Sequence, residues 1–370
     1  MIEMPNYAPI TRDLRIDFCR GLALYMILVD HVVGDPLSRI TLQNFGFSDA
    51  AEAFIFLSGL SCGIVYFRAL ARGGWPRLTA AICRRASQIY AYYVLASIAT
   101  ILILKAVEGA VAKAHVSHSF LVLREEPISV LWSTILLTSP PDLPGILVIY
   151  LVLTLVVIPL FLWGASVSAP LTLAASGFIW AISQIVHFSL PHFPDHSYFN
   201  PFAWQFLFCI GMFIGLRYSA TSPSLRAAQT PRWLVSAAWV CVSFALLYRY
   251  RSQLGFEWLP TMTNDKDNLS AVRLLHFLSI ALIFATYIKP DNSMLGSWPA
   301  TAVIRTGQCS LEVFSMGTVL SILLSVIFAL WIPSRLERVA LDGVAALATA
   351  LTALALTQMR RRRQRMPRPA

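Results

Sequence analysis

The run Ser310–Ile332, SLEVFSMGTVLSILLSVIFALWI, is 23 residues long and holds one charged side chain, Glu312. As a helix rising about 1.5 Å per residue it would cover roughly 34 Å, enough to cross the ~30 Å hydrocarbon core of a bilayer. Water is absent there, so every backbone N–H and C=O must pair within its own segment, and a helix does this. Similar runs recur along the chain. They predict spans over 16–34, 50–70, 86–107, 143–164, 169–187, 202–217, 232–250, 271–288, 310–332 and 340–358. The stretch 128–139 is apolar but too short to cross, and Pro140, Pro141 and Pro144 follow it. It reads as an interfacial or re-entrant helix.

Composition agrees. Apolar residues make up 57% of the chain and charged residues 13%, with a mean hydropathy of +0.64; a soluble globule carries about twice that charged fraction. No alternating ten-residue strands suggest a barrel. The expected class is an all-α integral membrane protein of about ten transmembrane helices plus one short interfacial or re-entrant helix. It reads as one polytopic domain over 1–370 with a basic tail at 359–370. Cys19, Cys62, Cys83, Cys209, Cys241 and Cys309 fall in or beside apolar runs with no CxxC pair, so they read as small buried hydrophobes. The first apolar run is preceded by Arg12, Arg15 and Arg20 and ends without a small-residue cleavage site, so it should stay as a span.

Arginines orient the set. Arg68, Arg72, Arg77, Arg84 and Arg85 follow span two, Arg217, Arg226 and Arg232 follow span six, and Arg360–Arg363 with Arg365 mark the tail. With ten spans these fall on one side, which should be cytoplasmic, and both termini with it. The opposite loops, 108–127, 188–201 and 251–270, carry His115, His118, His192, His196, Glu125, Glu126, Asp265 and Asp267. Arg335 and Arg338 fit this scheme least. The net charge of +10 is therefore read as orientation and lipid contact; no nucleic-acid partner is expected.

Ionisable groups inside spans need a reason, because each opposes insertion by about 2.5–3.5 kcal/mol or more. Span one ends in Asp30-His31, and span two opens on Ser48-Asp49-Ala50-Ala51-Glu52. The two spans form a hairpin, so these groups can converge near one membrane face. A histidine beside carboxylates can act as general base: one carboxylate fixes the tautomer while the free nitrogen accepts a hydroxyl proton. A polar pair that only locks two helices is the plainer alternative. Arg20 lies eleven residues before His31, 1100° of helix or 20° past three turns, so both share a face about 16 Å apart. A snorkelling arginine would look the same.

Further candidates are Arg273 and His276, three apart at the start of span eight, and Asn200, Trp204 and Gln205 at the start of span six, whose donors suit sugar hydroxyls. The latter also suit an aromatic-belt anchor. Glu312 and Asp342 are expected to pair with arginines across the bundle. No phosphate-binding loop, dinucleotide fingerprint, H-E-x-x-H or G-x-S-x-G occurs, so nucleotide hydrolysis has no support and no metal is expected.

Several stretches together resemble one known family. Arg12–Ala23 (RDLRIDFCRGLA) running on to Asp30-His31, Asn44–Glu52 (NFGFSDAAE), and Phe56-Leu57-Ser58-Gly59 are similar to the OpgC-like family, which contains succinyltransferases of osmoregulated periplasmic glucans. Arg84-Arg85 with Tyr90, Leu143-Pro144 with Tyr150, Asn200-Pro201 with Trp204-Gln205 and Gly211, and Ser310–Phe314 fit the same pattern. The wider likeness is to membrane acyltransferases of the acyltransferase-3 type. Where those often carry a histidine after the Ser-Leu-x-Val-Phe segment, this chain has Ser315-Met316-Gly317.

The resemblance implies an O-acyltransferase of the bacterial inner membrane. It would move an acyl group, succinyl by expectation, from cytoplasmic acyl-CoA to a hydroxyl of a periplasmic glucan or related glycan. His31 would be the essential histidine, with Asp30, Asp49 and Glu52 as candidates to orient it. Arg20, Arg84, Arg85 and Tyr90 are candidates for acyl-CoA; Asn200, Trp204, Gln205, Arg273 and His276 for substrate, Arg273 facing a succinyl carboxylate. Expected partners are the glycan and membrane lipids, with a homo-oligomer left open. The rival is a polytopic exporter of a glycan-pathway intermediate with an Asp30-His31-Glu52 proton relay; no inverted repeat supports it. A structural partner in a glycan-synthesis complex would not need His31.

Overall fold

The computed structural model describes residues 12–107, 127–137, 144–186, 199–220 and 230–365. Loops 108–127 and 188–201, with the histidines and glutamates expected there, lie almost entirely outside them. The elements in order are α1 (Leu14–Asp30), α2 (Ala50–Ala106), α3 (Pro127–Ile135), α4 (Ile146–Val152), a π turn (Leu153–Val157) and α5 (Ile158–Ser183). Then come α6 (Pro201–Ala220), α7 (Arg232–Arg249), α8 (Ala271–Tyr287), α9 (Trp298–Gln308), α10 (Ser310–Trp331) and α11 (Arg335–Arg365). No strand occurs among the described residues.

Five of these helical stretches are long and apolar enough to cross a membrane: Ala50–Ala106, Ile146–Ser183, Pro201–Ser219, Ser310–Trp331 and Arg335–Arg362. Ala271–Tyr287 is apolar but shorter. The expected spans 50–70 and 86–107 fall in one element, broken where Gly73 (φ −156°) and Gly74 (φ 60°) leave helical geometry ahead of Pro76. A left-handed φ is open to glycine at no steric penalty, and proline removes the donor that would carry the helix through. Spans 143–164 and 169–187 are likewise joined from Ile146 to Ser183 across a break at Ser168, two residues before Pro170. The helix at the first expected span, α1, ends earlier than expected. It stops at Asp30, with His31 as its C-cap, because Gly34 turns with φ 78° and Pro36 follows. The amphipathic α9 was not anticipated; Ser297 accepts from Ala300 N–H at its start and Pro299 sits in its first turn, both ordinary start signals.

Contacts divide the chain into two compact units of interleaved sequence. The first is built from residues 42–91 and 145–287, and the second from residues 13–41, 92–144 and 288–370.

In the first unit, α2 and α6 approach through glycines spaced four apart on each helix. A Cβ at Gly59 or Gly63 would run into the carbonyl oxygens of Phe208 and Met212, and one at Gly211 or Gly215 into those of Phe56 and Leu60. Apolar burial drives little helix association in lipid, so small residues that let backbones touch take over. Tyr150 of α4 adds a hydroxyl bond to Ser58 Oγ, 3.2 Å, which joins two of the sequence stretches quoted above.

In the second unit, α1 packs against α9 and α10, and α11 packs on both of these. Leu28, Val32, Leu324, Phe328 and Ala345 form one buried cluster. Gly21 lets α1 meet the Val303 backbone of α9. Glu312 pairs with Arg360, as expected. Asp342 does not pair with an arginine: it is 1% exposed, its oxygens accept no hydrogen bond among the described residues, and it faces Asp35. All six cysteines are free; Cys209 and Cys309 are buried, but Cys83 is exposed.

Candidate functional site

The first unit gathers Asp49, Glu52, Arg273 and His276. Asp49 caps α2. Its Oδ1 accepts from Ala51 N–H and Glu52 Oε2 accepts from Asp49 N–H, both 2.8 Å, a reciprocal capping box. The other oxygens meet α8: Arg273 Nε donates to Glu52 Oε1 at 2.7 Å and Arg273 Nη2 to Asp49 Oδ2 at 3.0 Å. Lys266 reaches the same Asp49 oxygen at 2.8 Å. Glu52 is 0% and Arg273 5% exposed, so the pair is held out of solvent. Burial works against the charged form of Asp49, but the Lys266 ammonium and the Arg273 guanidinium outweigh it and hold its carboxyl below the usual range.

One turn after Arg273, His276 is fully buried. Its Nδ1 accepts from Ser48 N–H at 3.2 Å, and the Ser48 hydroxyl lies 2.7 Å away. A backbone N–H can only donate, so Nδ1 carries the lone pair and the proton sits on Nε2. The ring packs edge-on to Phe47, and a Cβ at Gly46 (φ 154°) would run into its Nε2 edge. The segment Gly46–Glu52 is thereby clamped to α8.

The start of α6 is engaged within the same unit. Asn200 Nδ2 donates to Asn268 Oδ1, and Trp204 Nε1 to the carbonyls of Lys266 and Asp267. Gln205 donates to Ser176 O and accepts from Ser176 Oγ. The Asn200 and Trp204 donors hold the loop that carries Lys266, and Gln205 ties α6 to α5. Arg84 is exposed and Arg85 and Tyr90 half-buried on α2.

The second unit holds Arg20, Asp30 and His31. Arg20 is 8% exposed with Asp17 beside it, 3.8 Å. Asp30 accepts from the Thr41 hydroxyl and so ties down the turn after α1. His31 is exposed at the C-terminal end of α1, and its Nδ1 is 2.7 Å from the Ile27 carbonyl. A carbonyl only accepts, so Nδ1 carries a hydrogen, and the neutral form of the ring has its lone pair on Nε2. His31 also borders a cavity of about 10 Å³ between α1 and α10, lined by Leu24, Leu28, Phe314 and Gly317. Gly317 belongs to the Ser315-Met316-Gly317 segment that follows Ser310–Phe314.

Sequence reasoning placed Asp49, Glu52, Arg273 and His276 in two separate groups, and the structure brings these four together. It missed Lys266 and gave no role to Ser48. The capping box was not read from the sequence either, although a D-x-x-E pattern ahead of an apolar run is its signal. The Ile27 carbonyl that orients His31 left no signal, because a backbone acceptor is present at every position. Among the described residues no three His, Cys, Asp or Glu side chains cluster as metal ligands.

Compared with known families, residues 12–362 match the family model described as OpgC protein. No curated protein and no solved structure matches the chain.

Proposed function

From its membership of the OpgC protein family, to which this chain belongs, we propose that it is a membrane acyltransferase acting on a glucan. The acyl group is succinyl, the donor cytoplasmic acyl-CoA, and the acceptor a hydroxyl of a periplasmic glucan. The protein sits in the bacterial inner membrane with both termini inside. Ten crossings follow if each broken helix crosses twice and the short helices α1, α7 and α8 cross once.

One observation carries the reading: the His31 ring is exposed, with Nδ1–H spent on the Ile27 carbonyl. In the neutral ring this tautomer has its lone pair on Nε2, and Nε2 is proposed as the base. In the proposed step the glucan hydroxyl gives its proton to Nε2 as its oxygen attacks the thioester carbonyl. The tetrahedral adduct collapses, the carbon–sulfur bond breaks, and His31 returns the proton to the departing CoA thiolate. Arg84 and Arg85, with Tyr90 nearby, are proposed to meet the CoA phosphates, where charge-assisted contacts are strongest. Arg20 of α1 is proposed as a further cation for acyl-CoA. Glu52 and Asp49 act by holding Arg273 and the start of α2. The exporter reading would need Glu52 as a proton carrier, yet its oxygens are bound by Arg273 and a backbone N–H.

The test is purified protein in nanodiscs with succinyl-CoA and glucan, following CoA release and product mass. Wild type should release CoA and add one succinyl group per transfer. His31→Ala should lose at least 10²-fold, the lower range for general-base catalysis, with unchanged melting. No CoA release from wild type, or normal turnover by His31→Ala, would overturn the proposal.

A further inference from the structure

Beside the Arg273 cluster, within the first unit, lies a cavity of about 190 Å³ bounded by Gly46, Phe47, Tyr248, Arg249, Arg251 and Asn264. Its wall is built rather than loose. The Tyr248 hydroxyl donates to Pro260 O at 3.1 Å and accepts from Met262 N–H at 2.6 Å, pinning the loop after α7. The Phe47 and Tyr248 rings pack at 5.2 Å, and Tyr248 is 5% exposed.

The charge in this cavity is unbalanced. Arg251 lies over the Tyr248 ring, 4.3 Å from its centre, and spends one N–H on the Tyr248 carbonyl. A guanidinium fixed on an aromatic face keeps its remaining donors in place for a planar anion. Arg249 closes the last turn of α7. Neither arginine forms an ion pair among the described residues, while the adjacent carboxylates, Asp49 and Glu52, are already taken by Lys266 and Arg273. Asn264, which lines the cavity, also accepts from Arg273 at 3.4 Å. The cavity thus opens next to a cluster whose own charges are satisfied, and offers two cations that are not. Its volume is below the ~300 Å³ at which sites for drug-sized molecules begin. That suits a short acid or the end of a longer group.

We infer that this cavity is a subsite for the free carboxylate of a dicarboxylic acyl group, with Arg249 and Arg251 as the donors. The inference rests on the acyltransferase reading for the identity of the acyl group, and it moves carboxylate recognition from Arg273 to the two arginines beside it.

The test uses the wild-type chain in zwitterionic nanodiscs, labelled with phenylglyoxal and mapped by peptide mass. Millimolar succinate should slow modification of Arg249 and Arg251 several-fold, dimethyl succinate should not, and exposed Arg72 should label at one rate throughout. Equal labelling with and without succinate overturns the subsite. So does equal protection by inorganic phosphate, or protection seen only when phosphatidylglycerol is in the disc, which would make it a headgroup contact. In turnover, Arg249→Ala with Arg251→Ala should lower the succinyl-to-acetyl transfer ratio by roughly ten-fold or more; an unchanged ratio overturns the inference. Protection without CoA release keeps the subsite and removes the acyltransferase reading, and CoA release without protection does the reverse.

Discussion

Arg273 Nε donates to Glu52 Oε1 across 2.7 Å, and the carboxylate it meets is 0% exposed. Removing one partner of such a pair leaves an uncompensated buried charge, which typically destabilises by about 3–5 kcal/mol. Arg273→Met alone should therefore melt far below wild type in detergent, whereas Arg273→Met with Glu52→Leu should recover much of the loss. A double variant as unstable as the single one would show that the cluster matters through Asp49 instead.

Asp49 gives a pH signature. Its carboxyl is held below the usual range by Lys266 and Arg273, so the folded pKa is lower than the unfolded value near ~3.9. Unfolding then takes up protons at low pH. The stabilisation is complete above about pH 4 and is lost as pH falls through the folded pKa. Melting between pH 5 and 2 should show a fall that Asp49→Asn flattens. A fall of the same slope in the variant would assign the acid sensitivity to other groups.

The glycine pairs of α2 and α6 should be intolerant of side chains. Gly59→Val and Gly211→Leu place atoms where the Phe208 and Phe56 carbonyls lie, so both should express poorly or melt several degrees lower. Gly343 of α11 has nothing within 4 Å of an added Cβ. Gly343→Ala should be neutral or stabilising by up to ~1 kcal/mol, the helix-propensity difference. Expression and melting temperature of the three variants decide the matter.

Orientation can be read by labelling. In a cysteine-free background, Cys at Gly255 should react with an impermeant maleimide from the periplasmic side, and Cys at Arg77 should not, if the arginine clusters mark the cytoplasm. The reverse pattern would exchange the donor and acceptor faces proposed for the reaction.

Hydropathy is a local property, and what depends on it was legible in the chain. The apolar runs, the breaks at Gly73-Gly74 and before Pro170, and the family likeness of Arg12–Ala23 need no partner to be read. Even the α2 capping box is a four-residue pattern. Only the tertiary structure decided which groups meet. Glu52 and Arg273 are 221 residues apart; any of several cations could have faced that carboxylate, and the packing of α2 against α8 selected one. The G-x-x-x-G pairs at Gly59–Gly63 and Gly211–Gly215 stood in the sequence, but a glycine says only that a backbone can come close, not which one does. His31 was visible as a residue, while its tautomer was set by the Ile27 carbonyl one turn earlier. That contact depends on where α1 ends and how the ring turns back on it.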